Sequence, residues 1–69
     1  MDPNETLRQL RRRVQAVQKI EKEATEVGDL PEHREKLLEI AQEMSELFDA
    51  LDGWCVHGGF LPDAWQAGR

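Results

Sequence analysis

The side chains that could do chemistry in this chain include two histidines and a single cysteine. His33, Cys55 and His57 carry atoms that bind zinc, but Cys55 and His57 are two positions apart, a spacing that places them on different faces of a helix. His33 lies near the opposite end of the same predicted helix. The spacing therefore predicts no metal site and no cofactor. No histidine or acid is fixed beside Cys55 to make it a nucleophile.

Arginines near the N-terminus point to a second kind of chemistry, because phosphate contacts come from such clusters. They are Arg8, Arg11, Arg12 and Arg13. Successive helical residues point in directions about 100° apart, so the three consecutive arginines do not form one patch. No aromatic interleaving or glycine-rich loop accompanies them. Charge pairing with acids of the same chain is the favoured interpretation, and nucleic-acid binding remains the alternative.

Glutamates at spacings near four predict an outward acidic stripe. They are Glu32, Glu35, Glu39, Glu43 and Glu46. Such a stripe is usually a solvated helix face, but it could also imitate nucleic acid and occupy the basic groove of a host protein. Paired carboxylates become acid–base catalysts only in a cleft that perturbs them. A helical hairpin offers no cleft, so we predict that the chain has no catalytic residues and is not an enzyme.

Length and charge narrow the class of protein. A chain of 69 residues forms one small domain at most and usually needs a partner, a metal or disulfides for stability. The lone cysteine excludes an intrachain disulfide and indicates a reducing, cytoplasmic setting. No apolar run approaches the roughly 18 residues of a membrane span, so no membrane contact is expected. The net charge of -5 is uneven, being +1 over residues 1–28 and -6 over residues 29–69.

Two long helices must position these side chains. The first, over residues 3–27, has Asp2 as its cap and Gly28 as its stop. Its apolar residues are Leu7, Leu10, Val14, Val17, Ile20, Ala24 and Val27. The second, over residues 30–57, is predicted to start from an Asp29 cap. Its heptad seam contains His33, Leu37, Ile40, Met44, Leu47, Leu51 and Trp54.

A second apolar row beside that seam predicts association. Ala41, Phe48 and Cys55 recur at a spacing of seven and make the apolar face wider than one helix covers. The short turn makes the two helices antiparallel, which brings Asp49 and Asp52 near the arginines of the first helix. The predicted fold class is all-α, an antiparallel two-helix hairpin with a short aromatic C-terminal tail, dimerising by coiled-coil packing into a four-helix bundle. The hairpin comprises residues 1–57 and the tail residues 58–69.

The tail carries aromatic residues that either pack over the open end of the hairpin or dock a partner. Its candidate residues are Trp54, Phe60, Leu61 and Trp65. The run Leu51-Asp52-Gly53-Trp54, followed by Gly58-Gly59-Phe60-Leu61-Pro62 and Trp65, resembles the C-terminal pattern of small, mostly uncharacterised proteins from actinobacteriophages and their hosts. The resemblance covers about 15 residues and implies a phage or actinobacterial cytoplasmic setting. It implies no function.

These patterns favour a noncatalytic protein–protein interaction module, a homodimer that serves as a phage-encoded adaptor or regulator of a host protein. The candidate self-association residues are Leu37, Ile40, Met44, Leu47, Phe48 and Leu51. Two other functions remain open. One is nucleic-acid binding through the four arginines, and the other is an acidic mimic that inhibits a host nucleic-acid-binding protein.

Overall fold

The computed structural model describes residues 1–66, which contain two long helices and one short helix. They are α1 (Pro3–Val27), α2 (Pro31–Val56) and α3 (Asp63–Gln66). The connection between α1 and α2 is three residues long, so the chain turns back on itself and the two helices pack against each other. No strand occurs within the described part of the chain. The prediction of an all-α pair of packed helices is thus confirmed.

The start and end of α1 follow from its flanking residues. The Asp2 side chain accepts a hydrogen bond of 3.0 Å from the backbone N–H of Asn4, which satisfies a donor that the first helical turn leaves free. At the other end, Gly28 has a φ of 94°, and its N–H donates to the carbonyl of Ala24 at 2.9 Å. Only glycine adopts this conformation readily, so the helix ends there.

The start of α2 differs from the prediction, because the cap is Leu30 and not Asp29. Pro31 occupies the first helical position, and a residue before proline is driven into the extended conformation that a cap requires. The N–H of Leu30 donates to Nδ1 of His33 at 3.3 Å, the bond that a glutamate at that position accepts in a capping box. Asp29 lies one residue too early to cap the helix, and its carboxylate instead accepts from Arg34 at 3.0 Å.

The end of α2 lies at Val56, one residue before the predicted end. The N–H of His57 still donates to the carbonyl of Gly53 at 3.1 Å, so the helical hydrogen-bond pattern continues through Gly53. Gly58 has a φ of 90°, and its N–H donates to the carbonyl of Cys55 at 3.1 Å. The left-handed conformation at Gly58 stops the helix and directs the chain back toward the hairpin.

The aromatic tail folds onto its own hairpin. Nε1 of Trp54 donates to the carbonyl of Phe60 at 2.9 Å, and the two rings meet edge to face with centroids 5.6 Å apart. The N–H of Gly59 donates to the carbonyl of Trp54 at 2.8 Å. The N–H of Asp63 donates to Oδ1 of Asn4 at 2.7 Å. These contacts connect the tail to both long helices of the same chain.

The buried core lies mainly at this open end, where the tail adds a third segment to the two helices. Its members are Pro3, Thr6, Leu7, Leu51 and Pro62. Leu51 is 2% exposed and Leu7 is 8% exposed. Toward the connection the helices have no such cover, and within residues 1–66 Ile40 is the only fully buried residue of that half.

The overall dimensions of the molecule agree with a small core. The chain measures 44 × 24 × 14 Å and has a radius of gyration of 14.8 Å. A compact domain of this length would have a radius of gyration of about 11 Å. Because a helix with its side chains is about 10–12 Å wide, the molecule is about one helix thick. Within residues 1–66, no helix combines the length and apolar character needed to cross a membrane.

Candidate interaction surface

An apolar groove runs between α1 and α2 on one side of the helix pair. The groove encloses about 540 Å³. It is lined by Val14, Val17, Gln18, Glu21, Leu37, Ala41 and Met44. Val14 is 40% exposed. Ala41 is also exposed, and the other apolar lining residues are half-buried. In a single chain this groove therefore leaves water in contact with aliphatic side chains from both helices.

The opposite side of the helix pair has a smaller groove with more charged residues in its lining. It encloses about 420 Å³, and charged side chains of both signs stand along its edges. It is lined by Ala16, Lys19, Ile20, Glu23, Glu32, His33, Lys36 and Ile40. Long charged side chains can cover apolar surface with their stems while their ends remain in water. The two grooves therefore differ in the residue types that line them, since five of the seven lining residues near Val14 are apolar and only three of the eight on this side.

The six residues predicted for self-association fall into three environments. Ile40 and Leu51 are buried within the single chain, at 5% and 2% exposure. Leu37 and Met44 are half-buried and line the apolar groove. Leu47 is also half-buried. These five side chains all contribute to packing within the hairpin or to its groove.

Phe48, the sixth, is different because 60% of it is exposed. It belongs to the second apolar row identified in the sequence and lines a small cavity beside the tail. That cavity is formed by Phe48, Leu51, Asp52, Cys55, Leu61 and Trp65. Of the predicted self-association residues, Phe48 is the one whose side chain is mostly available to a second molecule.

Two exposed apolar residues of α2 were missed by sequence reasoning. Leu38 is 74% exposed and Val56 is 73% exposed. Neither belongs to the heptad seam, so a search for one seam passes over them. The sequence does contain a signal for them, which is the row of Ala41 and Phe48 outside the seam. Leu38 lies three positions before Ala41 and Val56 lies eight positions after Phe48, and both spacings keep residues on one side of a helix.

The predicted docking residues of the tail also have unequal exposure. Leu61 and Trp54 are half-buried, and the Trp54 indole uses its N–H within the chain. Phe60 is 58% exposed and Trp65 is 46% exposed. The sequence offered packing or docking as alternatives. In the structure the Phe60 ring packs against Trp54 of α2, and Trp65 lines a cavity with Phe48, while Phe60 and Trp65 keep much of their surface in water.

The four arginines do not act as one group. Arg13 is half-buried, and its Nε donates to Glu43 at 3.2 Å, which joins α1 to α2. Arg8 pairs with Glu5 one turn earlier in its own helix. Arg11 and Arg12 are exposed. The cluster that the sequence suggested is thus divided between ion pairs and open surface.

The ion pairs correct one expectation about the hairpin. Asp49 and Asp52 were predicted to meet the arginines of α1, but in residues 1–66 neither takes part in an ion pair. The interhelical pair is formed by Arg13 and Glu43, nearer the middle of the helices. Both aspartates are exposed, and the sequence could not fix which way their side chains point around α2.

The remaining titratable residues lie apart from one another. Within residues 1–66, no three histidine, cysteine or acidic side chains come together in a way that could hold a metal ion. His57 contacts its own helix, with Nδ1 at 2.7 Å from the carbonyl oxygen of Gly53. Cys55 is a half-buried free thiol. Glu32, Glu35, Glu39 and Glu46 are exposed, whereas Glu43 is half-buried beside Arg13.

Comparison with known proteins adds no assignment: no family model matches the chain, and no curated protein or solved structure shows significant similarity to it.

Proposed function

We propose that this chain is a noncatalytic protein–protein interaction module that acts as a homodimer, with two hairpins stacked into a four-helix arrangement. The observation that carries the proposal is the apolar groove on a molecule 14 Å thick. Folded domains generally bury apolar surface between at least two packed layers. This chain supplies only one layer of helices along most of its length, and a second copy supplies the other.

The packing of the two long helices supports the same conclusion. Ile40 is buried between them, but Val14, Val17 and Met44 keep contact with water although they lie on the apolar sides of their helices. Covering apolar surface contributes roughly 25 cal/mol per Å². A second hairpin laid over the groove removes this surface from water without changing the packing inside each chain. Such an interface needs about 800 Å² from each partner, and the chain exposes 5251 Å².

The dimer leaves other surfaces for a different protein. The exposed glutamates lie on the far side of α2 from the groove, and Phe60 and Trp65 lie at the open end. Aromatic residues are favoured anchors in protein interfaces. As part of this proposal, these surfaces dock a host protein, and the chain serves as an adaptor or regulator in a phage or actinobacterial cytoplasm. The setting rests on the resemblance of the tail alone.

Nucleic-acid binding is the weaker hypothesis because the arginines are divided. Arg8 and Arg13 already have carboxylate partners, which leaves Arg11 and Arg12 on an otherwise acidic protein. A binding surface for nucleic acid needs a basic stripe or patch. A gel shift at low and moderate salt separates the hypotheses, since binding through phosphates gives a shift that weakens as salt is added.

The test of the proposed function is molar mass measured by light scattering over a concentration series, at low and at high salt. We expect the mass to rise to twice that of the chain and to persist at high salt, because apolar burial is not screened by ions. A well-folded monomer at every concentration, verified by circular dichroism, would contradict the proposal. A dimer that dissociates at high salt would show that charge, and not the apolar groove, holds the copies together.

A further inference from the structure

The large exposed apolar residues of α2 form a single row along the helix. Leu30 at the cap and Leu38, Phe48 and Val56 within the helix have exposures between 46% and 74%. With the exposed residues between them they follow one another at spacings of three or four, which keeps them on one side of a helix. We call these eight positions the outer row: Leu30, Arg34, Leu38, Ala41, Ser45, Phe48, Asp52 and Val56.

The outer row is separate from the seam that packs on α1. At about 100° per residue it lies roughly a third of a turn around α2 from Ile40 and Leu51, the two residues of α2 that are buried in the hairpin. All eight of its members are exposed. It borders the apolar groove, since Ala41 belongs to both. The outer row thus contains large apolar side chains that the hairpin itself leaves uncovered.

From its centre toward either end the outer row has a small residue, a large apolar residue, a charged residue and an apolar residue. Its members lie in pairs at equal distances on either side of position 43. Ala41 and Ser45, both small, are two positions away. Leu38 and Phe48, both large and apolar, are five positions away. The remaining two pairs continue the symmetry: Arg34 and Asp52, of opposite charge, at nine positions, and Leu30 and Val56, both apolar, at thirteen.

Such an order suits one geometry. In a twofold dimer each contact occurs twice, with residue i on residue j and residue j on residue i. When two copies of one helix run antiparallel, the residues equally far from the centre come level with each other. We propose that α2 pairs antiparallel with α2 of a second copy along the outer row, with the twofold axis level with position 43. This inference deepens the proposed function and rests on it.

The residues near the axis allow the two helices to approach closely. The side chain of Ala41 is a single methyl group, and that of Ser45 is only slightly larger. The Ser45 hydroxyl donates to the carbonyl of Ala41 in its own helix at 3.0 Å, so it needs no water when the surface is covered. One step outward, Phe48 of each copy comes level with Leu38 of the other, beside the groove residue Leu37.

Charge fixes the direction of the pairing. In the antiparallel arrangement Arg34 of each copy comes level with Asp52 of the other, whereas a parallel arrangement places each residue beside its own counterpart. Arg34 already contacts Asp29 at 3.0 Å, which holds the guanidinium near the helix start. Added salt screens the attraction between Arg34 and Asp52, so persistence of the dimer at high salt depends on the apolar contacts of Leu38 and Phe48.

Cysteine cross-linking tests the register directly. Cys55 is first replaced by serine, and Arg34→Cys and Asp52→Cys are then made in separate chains. In the proposed dimer, position 34 of one copy and position 52 of the other come level with each other, within reach of a short bis-maleimide linker. Two copies of the same variant hold their cysteines about 27 Å apart, at 1.5 Å per residue, which exceeds that reach. We expect a covalent dimer from the mixture of the two variants and its loss when either is treated alone. The mixed dimer retains one Arg34–Asp52 contact at its other end.

The matched control uses the opposite side of the same helix. Glu39→Cys and Glu46→Cys lie at nearly equal distances from position 43 and are exposed, but they face away from the outer row, so their mixture should give no covalent dimer. Cross-linking of single variants with themselves would establish a parallel arrangement and overturn the proposal. A dimer in light scattering without the mixed cross-link would overturn the register while the proposed function stands. A monomer at every concentration would overturn both.

Discussion

Replacement of Phe48 by alanine separates assembly from folding. Phe48 is 60% exposed in the single chain. A phenylalanine side chain can bury about 200 Å², so roughly 120 Å² remains for a partner to cover. At ~25 cal/mol per Å² this surface is equivalent to about 3 kcal/mol per side chain, or about 6 kcal/mol for the two in a dimer. These figures are upper limits because association also costs entropy.

The expected effect on assembly is large even after that reduction. If one third of the upper limit appears in the binding free energy, Phe48→Ala weakens dimerisation by about 2 kcal/mol, or roughly 30-fold in Kd. The single chain should lose at most about 2 kcal/mol, because only roughly 80 Å² of the side chain is already covered within it. Leu38→Ala, at 74% exposure on the same outer row, should weaken the dimer in the same direction.

Sedimentation equilibrium measures the dimer Kd, and urea unfolding at concentrations that favour the monomer measures stability. Leu47→Ala is the matched control, since Leu47 is next in sequence but half-buried. It should lower the free energy of unfolding by about 1–3 kcal/mol. The reasoning is refuted if Phe48→Ala leaves the dimer Kd within a factor of two or three while the wild-type chain is dimeric.

The tail offers further predictions at single residues. An added Cβ at Gly59 would overlap the Trp54 indole, so Gly59→Ala should lower the free energy of unfolding by about 1–3 kcal/mol and shift the tryptophan fluorescence. Gly53 has open space around its Cβ position inside α2, so the same substitution there should raise that free energy by about 0.5–1 kcal/mol; equal signs for the two variants in urea unfolding would disprove the argument. Asn4→Ala removes the acceptor for the Asp63 N–H and should cost about 1 kcal/mol, with faster quenching of Trp65 fluorescence by acrylamide. Quenching unchanged from wild type would show that this hydrogen bond does not hold the tail.

Local sequence signals predicted the ends of the helices well where one residue type is required. Gly28 adopts the positive φ expected of the residue that ends the first helix, because other residues pay a steric cost there. Gly58 has the same conformation after α2. The Asp29 cap was wrong because two signals competed. Pro31 determines where α2 starts, and it leaves the aspartate one residue outside the cap.

Predictions about side-chain partners were less successful. The sequence indicated that the arginines pair with acids of the same chain, and Arg13 does so with Glu43. It could not indicate that Asp49 and Asp52 remain exposed. A rotation of either helix by a fraction of a turn changes such pairs, while the apolar periodicity that defines the seam tolerates it. The apolar row of Ala41, Phe48 and Cys55 predicted surplus surface, but not how much of each side chain the tail covers.

The sequence by itself determined the helices and the seam between them, because capping, glycine conformation and apolar spacing act within a few neighbouring residues. Only the tertiary structure decided which apolar residues remain free. Four large, apolar residues of α2 show this: Ile40 and Leu51 are buried in the hairpin, whereas Leu38 and Phe48 are exposed. That difference depends on the rotation of α2 against α1 and on the return of the tail to the open end. Both are set by contacts between residues far apart in the chain.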